Sequence, residues 1–261
     1  GGALPIVAIP TTAGTGTESD LWTVITKTET REKIGWGADC TFPVLSVVDP
    51  ELMLSVPPEL TAYQGMDAFF HAAEGYLARA NQPASDRFAL EAIGLITKHL
   101  PEAVKDGSNL EARTALAWAS TEAGFVESLS CCISHHSLEH AISAFHPEVP
   151  HGAGLIMTSV AYFTYLAERS PARFADMAAA MGENTAAMKE GDRPFAFITA
   201  LRRLIERVGM AGLGPETFGI RKDEAAAIVK NAMETMGGLF ALTPVKFSAA
   251  DAETICENCF R

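Results

Sequence analysis

At Pro57-Pro58 the sequence changes period. Before that point apolar residues come in short β-branched runs bounded by turn residues; after it they recur at helical spacing. LPIVAI (4–9), TVIT (23–26) and PVLSVVDP (43–50) read as strands, and the charged stretch KTETREKIGWG reads as an exposed link between the last two. Beyond the break, residues 61–80, 85–105, 112–129 and 132–145 read as helices, with Thr61 capping the first and Ser85 or Asp86 the second. Pro147 and Pro150 end the fourth, and His151-Gly152 opens a fifth. Further amphipathic stretches lie near 155–168, 170–181, 193–208, 222–236 and 249–259. The expected architecture is an α/β segment over 1–56 followed by an all-α domain over 57–261.

A chain of 261 residues that is 48% hydrophobic has enough apolar material for one or two packed domains. Its 20 basic and 32 acidic side chains leave a formal net charge of -12, which disfavours nucleic acid and anionic lipid as partners. No apolar run reaches the roughly 18 residues a membrane span needs, and no signal peptide is visible. The five cysteines, Cys40, Cys131, Cys132, Cys256 and Cys259, are odd in number and have no disulfide-framework spacing. A reduced, cytoplasmic setting is the expectation. Cys256 and Cys259 form an isolated CxxC that reads as ordinary helix-end cysteines.

Five of the seven histidines, His135, His136, His140, His146 and His151, fall in one short window. A sixth, His71, follows Asp67 at i, i+4, so the two share a helix face. His136 and His140 have the same spacing, and His135 offers a competing register for the first of them. Either pair alone is most simply a hydrogen-bonded helical histidine. Two such pairs, plus an imidazole at the Pro150-His151-Gly152 corner, form a donor set suited to Fe(II) or Zn(II). No cysteine falls at ligand spacing to these residues, which argues against a structural zinc site.

The loop PTTAGTGTE (10–18) follows the first strand. Its small residues let backbone amides approach a ligand, and its threonines offer hydroxyls. It is neither a P-loop nor GxGxxG, and a tight strand-to-loop connection would explain it equally well. Beside a metal site it becomes a candidate for a dinucleotide's phosphate or ribose.

Taken in order, PTTAGTGTE, the Asp49-Pro50-Glu51-Leu52 turn, GMDAFFHAAEGY, the HxxxH segment and Pro150-His151-Gly152 resemble the iron-containing (group III) alcohol dehydrogenase family. The likeness runs over essentially the whole chain. It implies a fold similar to dehydroquinate synthase: residues 1–56 as the C-terminal part of an α/β dinucleotide-binding domain, and 57–261 as a helical metal-binding catalytic domain. It implies metal ligands at Asp67, His71, His136 and His151, and a further histidine, His140, beside the nicotinamide. Thr11, Thr12, Ala13, Gly14 and Thr15 match the cofactor-contacting loop, and Lys33 a basic residue of the same cleft. The implied reaction is hydride transfer between NAD or NADP and a small primary alcohol or aldehyde. His140 is the candidate proton relay, since an imidazole near its reference pKa needs only a small shift.

The same resemblance leaves a glycerol or polyol dehydrogenase, or a metal-binding module without full cofactor binding, as alternatives. Members of the family often form homo-oligomers. The family's GGGS phosphate loop has no counterpart here, so the chain is expected to lack an N-terminal part. Ser130 to Ser134, Glu139 before His140, and the extra His146 depart from the family pattern. These departures are expected beside the substrate pocket.

Overall fold

The computed structural model describes residues 2–260. Strand β1 (Val7–Ala8) pairs in parallel with β4 (Leu45–Ser46), and β2 (Trp22–Lys27) pairs antiparallel with β3 (Glu32–Gly37). Ten α-helices follow among the described residues: α1 (Pro58–Leu77), α2 (Pro83–Lys105), α3 (Leu110–Ser130), α4 (Ser134–Phe145), α5 (His151–Arg169), α6 (Phe174–Ala180), α7 (Arg193–Arg207), α8 (Ala225–Thr235), α9 (Gly237–Leu242) and α10 (Ala249–Glu257). The fold is thus a small strand-bearing segment followed by a helical domain.

Two readings of the first segment change. The stretch taken as an exposed link contains β3, whose period is inverted: Lys33, Gly35 and Gly37 face inward while Ile34 and Trp36 are exposed. An alternation with its apolar residues outside gives no buried-strand signal. LPIVAI and PVLSVVDP each shrink to a two-residue strand, β1 and β4, which pair with each other while Leu4, Val7, Ile9, Val44 and Leu45 stand in solvent. These thin sheets bury little by themselves.

Helix α1 is buried on nearly every face, which is why its sequence is apolar all round apart from the residues of the site. It packs against α2, α3 and α5, and α4 packs against α5, α8 and α9. Phe69, Phe70, Phe163, Phe174 and Phe197 pack ring against ring through the centre, stacked or edge-on and fully buried, each worth about 1.5–3 kcal/mol of transfer free energy. Thr61 is not a cap: α1 starts three residues earlier, with Pro58 in its first turn, and the Thr61 hydroxyl instead accepts from Arg113 Nη1 at 2.9 Å. At α2 the cap lies at Gln82, and Ser85 closes the box by bonding the Gln82 backbone.

The glycine–threonine loop lies against α3. Gly16 takes φ +64°, and a Cβ built on it would meet the Gly124 Cα at 2.6 Å. Only a pair of glycines permits this approach of loop to helix. Ser19 then fastens the loop, donating to the Thr121 carbonyl at 2.7 Å.

Candidate metal centre

Helix α1 places Asp67, His71 and Glu74 along one stripe at i, i+4 and i+7. Helix α4 presents His136 and His140, and His151 is the first residue of α5. The three elements converge. Asp67 Oδ1 lies 3.7 Å from His71 Nε2, 3.5 Å from His136 Nε2 and 3.4 Å from His151 Nε2. His71 and His136 stack with ring centroids 4.5 Å apart.

These separations are too long for hydrogen bonds and match the roughly 3.4 Å edges of a tetrahedron whose corners lie about 2.1 Å from a central ion. Asp67 Oδ1 and His136 Nε2 are buried with no hydrogen-bond partner, which is costly unless a ligand takes them up. Asp67, His136 and His151 form one cluster of potential ligand atoms, and His71, His136 and Cys132 an overlapping one. The donor set therefore fits a divalent transition ion.

Two buried carboxylates fix the imidazoles. Glu74 Oε1 accepts from His136 Nδ1 at 2.6 Å and from His135 Nδ1 at 2.8 Å, while its Oε2 accepts from the Ile133 and His136 backbone amides. Glu139 Oε2 contacts His151 Nδ1, and Lys33 Nζ donates to it at 3.3 Å and to Ser143 Oγ at 2.7 Å. A carboxylate on Nδ1 sets the tautomer and leaves Nε2 free to face the ion. Burial pushes Glu74 and Asp67 up, but neighbouring imidazoles outweigh it and hold both carboxyls well below their usual range. Glu139 is likewise held near about 2 by His151 and Lys33 against burial. Burial lowers His151, yet Glu139 and Asp67 carry it to about 9.

His135 turns away from this centre. Its ring lies among Phe70, Tyr162 and Phe163, and its Nε2 meets Thr158 Oγ1 at 2.9 Å. His140 lies on the cavity side, its ring 5.5 Å from that of His151. Its basicity differs from the expectation of a small shift. Burial, opposed by Glu139 and reinforced by His151, pulls the imidazole well below its ordinary value, so it is neutral. His146 sits between Glu148 and Glu224, outside the cavity lining.

A cavity of about 510 Å³ opens from the centre. Thr15 and Lys33 line it; Thr11, Thr12, Ala13 and Gly14 do not, and Gly14 is instead packed on Gln64. Two sequence expectations are corrected. Cys132 does come within ligand reach of His71 and His136, because Cys131 takes φ 68° and breaks the chain out of helix before α4. Spacing along a helix could not show that. Its thiol donates to Glu127 Oε1 at 3.1 Å, and burial with the Glu127 charge raises it well above the ordinary thiol value. Glu139 supports His151 from outside the cavity lining, being one residue and so about 100° of helix away from His140.

Glu74, Glu127, Cys132, Asp20 and Trp22 are the site residues that sequence reading passed over. Glu74 alone carried a signal, its i+7 relation to Asp67. Glu127 Oε2 stands 3.6 Å from His71 Nε2. Asp20 is buried, and that burial, the Glu127 charge and Glu18 push it up to about 8 against the Trp22 amide.

Helices α1, α4 and α5 thus bring one carboxylate and three imidazoles to a cavity that Thr15 and Thr17 of the glycine–threonine loop also line, a donor set that fits a divalent metal ion. The C-terminal model of the Fe-containing alcohol dehydrogenase family matches residues 61–260, and the iron-containing alcohol dehydrogenase model matches residues 1–50. The chain belongs to this family. It is 35% identical over 233 residues to the NAD-dependent methanol dehydrogenase of Bacillus methanolicus, covering 88% of this chain and 60% of that protein. It is 38% identical over 208 residues to the 1,3-propanediol dehydrogenase of Citrobacter freundii, covering 79% of this chain and 53% of that protein. The alcohol dehydrogenase of Oenococcus oeni superimposes with a TM-score of 0.94 at 32% identity, over 100% of this chain and 67% of that one. The chain thus spans little more than half the length of the two curated relatives. No helix among the described residues is long and apolar enough to cross a membrane.

Proposed function

We propose that the chain forms the metal-holding part of an NAD(P)-dependent alcohol dehydrogenase that interconverts a small primary alcohol and its aldehyde. The convergence of three Nε2 atoms within 3.4–3.7 Å of one partnerless carboxylate oxygen carries this reading. Asp67, His71, His136 and His151 are the proposed ligands of Fe(II) or Zn(II). When bound, the ion supplies Lewis acidity toward a hydroxyl or carbonyl oxygen, and the nicotinamide supplies hydride exchange. The names of the relatives, a methanol dehydrogenase and a 1,3-propanediol dehydrogenase, support an alcohol as substrate over the non-catalytic alternative, and the first of them names NAD as its cofactor.

The chain's own residues hold and orient. Glu74 and Glu139 keep the His136 and His151 rings in one tautomer. Lys33 neutralises Glu139 and pins β3 to α4. His140, kept neutral, is placed to hold or pass the substrate hydroxyl proton at the cavity wall. Thr15 and Lys33 reach the cofactor, while Thr11, Thr12, Ala13 and Gly14 shape the loop behind them. Residues 1–56 serve as the C-terminal part of the dinucleotide-binding domain; the exposed Val7, Ile9, Val44 and Leu45 support a covering layer there. Five free cysteines fit a reducing, cytoplasmic setting, and self-association follows the family's habit.

The test is elemental analysis of the complete protein alongside nicotinamide reduction with primary alcohols. One ion per chain and alcohol-dependent reduction are expected, both lost in Asp67→Ala. Full metal content in that variant would show the ligand set to be misassigned. His140→Ala should keep its ion and turn over more slowly; loss of the ion would make His140 a ligand.

A further inference from the structure

His135 and His136 are neighbours in sequence and both reach Glu74, yet their second nitrogens meet opposite fates. Glu74 Oε1 accepts from His136 Nδ1 at 2.6 Å and from His135 Nδ1 at 2.8 Å. An ionised carboxylate only accepts, so each ring carries a hydrogen on Nδ1. His136 Nε2 is buried without a hydrogen-bond partner, 3.5 Å from Asp67 Oδ1. His135 Nε2 is closed off: it meets the Thr158 hydroxyl at 2.9 Å and the Leu155 carbonyl at 3.2 Å. His135 is therefore no ligand, and its polar link toward the centre is Glu74.

The His135 ring is firmly held. It is fully buried, stacks on Tyr162 with centroids 4.9 Å apart, and meets Phe70 and Phe163 edge-on. The Tyr162 hydroxyl in turn lies 2.7 Å from Ser134 Oγ. The other Glu74 oxygen, Oε2, accepts from the Ile133 and His136 amides. Four donors occupy the carboxylate's lone pairs. Without His135, Oε1 would be placed only by the ring it has to orient, and one lone pair would be stranded in a dry interior.

On the reading of His136 as a metal ligand, we propose that His135 is a positioning residue for the centre: its Nδ1–H fixes Glu74 Oε1, and Glu74 thereby aims His136 Nε2 at the ion. The aromatic cage makes His135 a rigid reference for a site that it does not touch.

The experiment measures the zinc affinity of the complete protein by competition with a chromogenic chelator, in His135→Asn and His135→Gln. Asn carries its amide nitrogen at the δ position, where the imidazole has Nδ1; Gln carries it one atom further out. His135→Asn should stay within about threefold of wild type, and His135→Gln should lose about tenfold or more. The chelated forms of both should melt alike, because both lose the same ring packing; a general loosening of the fold would lower the two affinities equally. Should His135→Gln fail to fold, His135→Phe keeps a ring and removes the nitrogen, and the same loss is expected of it. Equal affinities in the donor-keeping and donor-lacking variants overturn the proposal. If His136→Ala binds zinc as tightly as wild type, the ligand reading is wrong and His135 loses its role with it. A large loss in His136→Ala beside unaltered His135 variants overturns the positioning role alone.

Discussion

The Oδ1 of Asp67 faces three imidazole nitrogens and no hydrogen-bond donor, so the residue-scale chemistry of the site is set by what holds those rings. Glu74 does most of this. It is fully buried, accepts hydrogen bonds from two imidazoles and two backbone amides, and ties α1 to the start of α4. Glu74→Gln keeps the shape but removes the charge that favours the His136 Nδ1 proton. It should weaken metal affinity about 10–100-fold, measured by competition with a chromogenic chelator. An unchanged affinity would mean that His136 is oriented by packing alone. Asp67 and His71 were legible as an i, i+4 pair, and His136 with His140 likewise. The supporting roles of Glu74 and Glu139 were not, although Glu74 lies at i+7 from Asp67, because a supporting carboxylate is defined by the ring it touches and not by its spacing.

At the scale of elements, the contact of the loop with α3 decides whether Thr15 meets the cavity. A Cβ on Gly124 would come within 2.3 Å of the Gly16 carbonyl oxygen and 2.2 Å of Ser19 Oγ. Gly124→Ala gains about 1 kcal/mol of helix propensity. Overpacking against backbone costs about 1–3 kcal/mol, and the nearest atoms here belong partly to a rigid loop, so the clash should win. The expected result is a net loss in denaturant stability together with weaker nicotinamide binding. A more stable variant would show that the loop moves freely. The helices were readable because apolar periodicity survives in a buried bundle. Strand β3 was not, since its exposed Ile34 and Trp36 reverse the pattern on which a strand reading depends.

Over the whole molecule, the centre joins α1, α4 and α5, so occupancy and folding are linked. An ion held at 100 times its Kd adds about 2.7 kcal/mol, and chelation should lower Tm accordingly. The pH dependence has a definite sign. His151 is raised to about 9 in the fold, so its contribution to the metal-free protein is complete below its unfolded value of about 6.5 and is lost as pH climbs through about 9. Glu139 is depressed to about 2, so its contribution holds above about 4.3 and disappears as pH falls toward about 2. An ion must displace the His151 proton, so the rise in Tm on adding Zn(II) should grow between about pH 6 and pH 9. Thermal melts of chelated and loaded protein across that range measure it; a constant increment would contradict the assignment of His151.

Sequence alone determined the helical domain and the glycine–threonine loop, and it put Asp67 with His71 and His136 with His140 on shared helix faces, because periodicity and local spacing are properties of one segment at a time; the choice of Asp67, His71, His136 and His151 as ligands came from the family resemblance. Only the tertiary structure decided that His136 faces Asp67 while His135 faces Tyr162, that Cys132 reaches the centre, and that Asp20 and Glu127 share a cavity. Those relations join residues far apart in the chain. They depend on how α1, α3 and α4 pack, and packing distances between helices are written in no single segment.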